Sequence, residues 1–114
     1  MPDKEDLVDT AMLIVANAGA GRSLAYEALA CAKKGDLAAA DAKLAESDSY
    51  IHEAQGTHLK ILQMAAKGEI ENETVFMAHA DDHLMCAVLA NELIKEFVEL
   101  YRSKTATKDG RAVM

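Results

Sequence analysis

The sequence has no tryptophan, two phenylalanines and three tyrosines, so aromatics make up 4% of its 114 residues. Sheet cores draw on aromatic and β-branched side chains, and their scarcity argues against a β fold. Proline occurs once, at Pro2. Helix interiors are therefore free of the residue that breaks them most strongly. The two cysteines, Cys31 and Cys86, form neither a disulfide framework nor a Cys-x-x-Cys pair. Both lie in apolar stretches, and the expectation is two buried free thiols in a reducing compartment. No apolar run approaches the ~18 residues of a membrane span. The segment Met1-Pro2-Asp3-Lys4-Glu5-Asp6 lacks a basic n-region, so a cytoplasmic protein without membrane insertion is expected. A basic surplus is missing as well, because the net charge is −7. Nucleic acid is thereby excluded as a partner, since phosphate backbones require a basic footprint. An acidic surface suits a basic protein partner instead.

What the chain does have is aliphatic weight. Hydrophobic residues are 51% of the sequence, carried by Ala, Leu, Ile, Val and Met. That mix suits close-packed helices. The length fits one domain, here 1–103, with a flexible tail over 104–114. Punctuation is clear. Lys33-Lys34-Gly35-Asp36 places basic residues in a last turn, glycine at C′ and aspartate as the next N-cap. Lys67-Gly68 repeats the stop, Asn72 can cap a third helix, and Asp3 can cap the first. The helices run over about Lys4–Lys34, Leu37–Lys67 and Glu73–Ser103, each about 46 Å long at 1.5 Å per residue. Equal lengths and short connections predict an all-α, antiparallel up-down-up three-helix bundle.

Projecting the third helix at about 100° per residue gathers Val75, Phe76, His79, Asp82, His83, Cys86, Ala87, Ala90, Leu93, Ile94, Phe97, Leu100 and Tyr101 within about 60° of His79. This stripe is expected to be the core face. Met77, Leu84, Met85 and Val88 lie opposite, so residues 75–90 are apolar nearly all round, as are Ala11–Ala16. A lone three-helix bundle has no second surface to bury there, which predicts a homo-oligomer. Gly19 and Gly21 are expected to permit close helix approach. Met64, Met77 and Met85 read as packing residues, and His52 and His58 as surface histidines, with His58 a candidate for a pocket. Arg22 is expected to pair with an acid or to approach phosphate oxygens.

The run His79-Ala80-Asp81-Asp82-His83 places two imidazoles and a carboxylate at i, i+3 and i+4 on one helix face. Three readings stand side by side. In the first the groups are hydrogen-bonded core residues. In the second His79 and His83 clamp a transition metal, with Asp82 adding oxygen, in a helical oligomer that transfers nothing. In the third one imidazole accepts a phosphoryl group while the other donates a hydrogen bond, because neutral imidazole is nucleophilic near its unperturbed pKa of about 6.5.

His79-Ala80-x-Asp82-His83-Leu84-Met85 resembles the HAQDHLM signature of the IIA component of the lactose/cellobiose type of bacterial sugar phosphotransferase system. Asn17-Ala18-Gly19-Ala20-Gly21-Arg22-Ser23-Leu24-Ala25-Tyr26 resembles that family's N-S-G-x-A-R-S-L-A-Y run. Ala32-Lys33-Lys34-Gly35-Asp36 resembles its A-K-x-G-D-F turn, and Glu92–Glu96 with Leu100-Tyr101 the end of its third helix. The resemblance implies a phosphocarrier in sugar uptake, or a regulatory relative of one. His79 would take the phosphoryl group from phospho-HPr and pass it to a cysteine of the IIB component, with the IIC permease reached only indirectly. His83 would support the transfer. The resemblance further implies a homotrimer in which Asp82 meets its copies around one divalent metal on the axis. Hard carboxylate oxygens point to Mg2+. Three converging carboxylates must protonate or bind a cation. Several positions depart from the pattern. Asp81 replaces the signature Gln and projects about 160° from His79. Gln55 stands where the family has His, and His58 and Leu59 where it has Gln-Thr. Ala18 and Ala20 replace Ser and Gln.

Overall fold

The computed structural model describes residues 4–70 and 75–108. They form three antiparallel helices: α1 Lys4–Lys33, α2 Leu37–Ala66 and α3 Val75–Lys108. None is long and apolar enough to cross a membrane.

The expected glycine stops are where the helices end. Gly35 and Gly68 have φ of +87° and +74°, the left-handed region that glycine enters without a Cβ penalty. At the first break Gly35 N–H donates to Ala32 O at 3.0 Å and Asp36 N–H to Cys31 O at 3.0 Å. At the second, Gly68 N–H donates to Ala65 O at 3.1 Å and Glu69 N–H to Met64 O at 2.9 Å. Both ends thus close with the same paired bonds, which satisfy carbonyls that a helix terminus leaves open. Asp36 then caps α2, its Oδ1 accepting from Ala39 N–H at 3.0 Å. The caps assigned to Asp3 and Asn72 lie outside the described residues.

One boundary differs. The helix α3 continues past Ser103 to Lys108, so residues 104–108 of the expected tail are helical. No Gly or Pro interrupts this stretch. Thr105 Oγ1 bonds back to Tyr101 O at 3.0 Å, and Lys104 Nζ stands 5.3 Å from the Tyr101 ring centre. Residues 109–114 lie outside those described.

Burial follows a three-then-four spacing. On α1 the buried positions are Ala11, Ile14, Ala18, Gly21, Ala25, Ala28 and Ala32. On α3 they are Met77, Ala80, Leu84, Ala87, Asn91, Ile94 and Val98. This is the seam of a coiled coil, lined mainly with small residues so that backbones approach closely. The core stripe expected around His79 is corrected: His79, Asp82, His83, Cys86, Leu93, Phe97 and Leu100 are exposed. Helix α3 carries two apolar faces, and the projection favours the bulkier one. The alanine-lined α1 takes the face that interlocks with it at close range.

A polar layer divides the core into two clusters. Ser47 Oγ donates to Gly21 O at 2.6 Å, and Asn91 Nδ2 donates to Ser47 Oγ and to Asp48 Oδ1, both at 3.0 Å. One layer therefore joins all three helices. Gly21 belongs to it by necessity: a Cβ there would meet Ile51 Cγ1 at 2.6 Å and Ser47 O at 3.2 Å. Gly19, expected to serve the same purpose, has nothing within 4 Å of where a Cβ would stand and makes no close approach in the protomer. Helix α1 packs along both neighbours, whereas the α2–α3 interface is the sparsest of the three. Ion pairs from Asp41 to Arg102 at 2.7 Å and from Asp48 to Lys95 at 2.8 Å tie its distal half.

Two glycine replacements test this packing. Gly21→Ala should lower the denaturation midpoint, because overpacking costs about 1–3 kcal/mol against roughly 1 kcal/mol of helix propensity gained. Gly56→Ala, inside α2 with open space around it, should raise the midpoint by about 0.5–1 kcal/mol of stability.

Candidate functional site

The exposed face of α3 carries the chemistry. His79 and His83, one turn apart, point the same way, with Nε2 atoms 3.1 Å apart and ring centroids 4.5 Å apart at 75°. The facing nitrogens stand at hydrogen-bond distance, with the donor set by the tautomer. Both are exposed, as is Asp82 between them in sequence. The reading of these groups as satisfied core residues does not hold, because solvent reaches all three. The Asp82 side chain makes no hydrogen bond or ion pair among the described residues. No group of three or more His, Cys, Asp or Glu side chains among them is arranged to hold a metal.

The neighbouring candidates sort differently. Cys86, one turn beyond Asp82, is exposed and Cys31 is half-buried, so neither is the enclosed thiol expected. Both are free. Cys86 lies on the second apolar face of α3, which the protomer does not cover. Arg22 pairs with no acid among the described residues; its guanidinium stands 5.4 Å from the centre of the Tyr26 ring, an arrangement attractive through the ring quadrupole. His52 is exposed. Met77 is buried and Met64 half-buried as expected of packing residues, but Met85 is exposed.

On the other side of the same turns, α2 and α3 part to form a cleft of about 450 Å³. Leu59, Leu62, Met85 and Leu89 give it apolar walls, and Gln55, His58 and Asp81 lie at its polar end. Asp81 faces α2, away from His79, as its projected direction implies. His58 Nε2 lies within ion-pair reach of Asp81 Oδ1. That oxygen is enclosed and accepts no aligned hydrogen bond. Sequence reasoning misses this pairing. The available signal is that positions 58 and 81 both depart from Gln in the pattern the sequence resembles.

Comparison with known proteins agrees with the signature. Residues 9–102 match the family described as the PTS system, Lactose/Cellobiose specific IIA subunit. The N,N'-diacetylchitobiose-specific EIIA component of Escherichia coli K12 is 40% identical over 105 residues, covering 91% of this chain and 90% of the relative. The lactose-specific EIIA component of Lactococcus lactis subsp. lactis is 38% identical, covering 88% and 95%. Among solved structures, the cellobiose-specific enzyme IIA of Bacillus anthracis superposes with a TM-score of 0.83 at 35% identity, covering 93% of this chain and 95% of that one. The Escherichia coli IIA(Chitobiose)–HPr complex gives 0.77 at 38% identity, covering 86% and 95%. With the family pattern spanning most of the chain and the paired histidines in place on its third helix, this protein belongs to the lactose/cellobiose-specific IIA family of the phosphotransferase system.

Proposed function

We propose that this chain is a cytoplasmic phosphocarrier for sugar uptake, with His79 as the phosphoryl acceptor. The observation that carries the reading is the exposed His79–His83 pair. HPr is the proposed donor, supported by the relative that is solved in complex with it. In the transfer, a ring nitrogen of His79 forms a P–N bond as the donor's bond to phosphorus breaks. The onward step, toward a cysteine of a IIB component, breaks the P–N bond and forms P–S. His83 Nε2, 3.1 Å from His79 Nε2, is placed to bond a phosphoryl oxygen when it carries the proton, and so to orient the group. Such chemistry asks of the protein mainly position and charge stabilisation. The IIC permease would be reached only through IIB.

Oligomerisation completes the proposal. Phe76, Leu93, Phe97 and Leu100 on α3 and Met12 and Leu13 on α1 are large, apolar and exposed. Surface of this kind marks an interface. A homotrimer with α3 at its axis would cover it and bring three Asp82 carboxylates together. An unpartnered carboxylate on an apolar face fits a shared hard cation, and Mg2+, one per trimer, is the proposed ion. When bound it offsets the mutual repulsion of the carboxylates.

Two variants test these roles. His79→Gln should keep the fold, with a stability change within about 0.5 kcal/mol for an exposed site. It should acquire no acid-labile phosphate from an enzyme I and HPr mixture; labelling that persists would reassign the acceptor. Asp82→Leu should remain trimeric by light scattering while losing metal by elemental analysis. A stoichiometric metal in that variant would refute the axial role of Asp82.

A further inference from the structure

We propose that the His58–Asp81 pair is a positioning clasp that fixes the rotation of the acceptor-bearing turns of α3. This role rests on the carrier reading of His79. Neither residue touches the reacting atoms. Both act through the helix that presents the acceptor.

The first argument is location. Asp81 sits on the same turn as His79, Asp82 and His83 but faces α2, while those three face outward. Any roll of α3 about its axis moves the acceptor and Asp81 together. What holds α2 to α3 therefore acts on the direction of His79, beside the seam that α3 shares with α1. That interface is the sparsest in the bundle. Its other polar ties, from Asp41 to Arg102, Asp48 to Lys95, and Asp48 and Ser47 to Asn91, all lie on the distal part of α3. Among the described residues, His58–Asp81 is the one ion pair that ties α2 to the part of α3 carrying the signature. Beside it the cleft leaves room for α3 to roll.

The second argument is environment. The His58 and Asp81 side chains are 23% and 20% exposed, against 45% and 50% for Lys95 and Asp48. Of the charged rungs between these helices, this one is the least open to water. Its polarity is also reversed. On the two distal rungs α2 supplies the acid; here α2 supplies the base. A slid or rolled α3 would part Asp81 from His58 and leave an enclosed carboxylate oxygen without that contact, which is costly.

Single-turnover transfer from phospho-HPr to His58→Gln, Asp81→Gln and the double variant tests the clasp. Each single variant should remain folded and of wild-type size and lose about three- to tenfold in transfer rate, with the HPr concentration for half-saturation unchanged. The double variant, which restores a neutral pair, should recover to within about twofold of wild type. Backbone amides of residues 77–85 should exchange faster in each single variant and recover in the double. Single variants at the wild-type rate, or a double variant as slow as the two losses multiplied, would overturn the clasp. A wild-type chain that takes no label would instead overturn the carrier reading, and amide exchange would still report on the pair.

Discussion

A hydrogen-bonded layer inside a seam of small residues governs the rest of this structure. Small residues recur along this seam at heptad spacing, and they do little to resist a slip of one repeat. The Gly21–Ser47–Asn91 layer supplies that resistance. Displacing Asn91 would leave a buried amide without its acceptor, at a cost of about 1–3 kcal/mol. Displacing Gly21 would drive a Cβ into Ile51. Register along the helices and the rotation of each about its own axis are thereby set at mid-bundle.

That choice has a consequence at the surface. A seam built from alanine and glycine buries little per residue, and the larger apolar side chains of α3 fall on its other face. Phe76, Leu93, Phe97 and Leu100 are outside because Met77, Ala80, Leu84 and Ala87 are inside. The histidine pair and Asp82 lie within this uncommitted face. In the carrier reading that is where they are needed, since an acceptor that must meet two different proteins cannot be sealed in a core. A face that also assembles copies of the chain places the reactive groups beside a neighbour without burying them in their own protomer.

Much of this is legible from the residues. The breaks at Gly35 and Gly68 follow from conformations that glycine alone enters easily, and Asp36 caps α2 as its position implies. The pairing of His79 with His83 follows from their one-turn spacing. The choice of face does not follow. Periodicity reports that a stripe is apolar, and α3 has two; which one turns inward depends on the shape of α1, which is a property of the partner helix. Cys86 is exposed rather than buried for the same reason. The His58–Asp81 contact joins residues on different helices, and no local pattern encodes their distance. The end of α3 lies beyond the expected one because residues 104–108 contain no Gly or Pro to stop it.

The spareness of the site is itself informative about what it can do. A residue that receives a phosphoryl group and must release it gains nothing from a deep well, because stabilising the intermediate as strongly as the transition state slows its departure. Among the described residues His79 meets the His83 ring and no arginine, since the Arg22 guanidinium lies against Tyr26. A hydrogen bond to a charged group is worth about 1.5–3 kcal/mol, enough to orient the phosphoryl group and too little to trap it. Reactivity at this site then depends less on how tightly the group is gripped than on the direction in which His79 is held. Direction is a property of the helix, and so of the contacts on its hidden side.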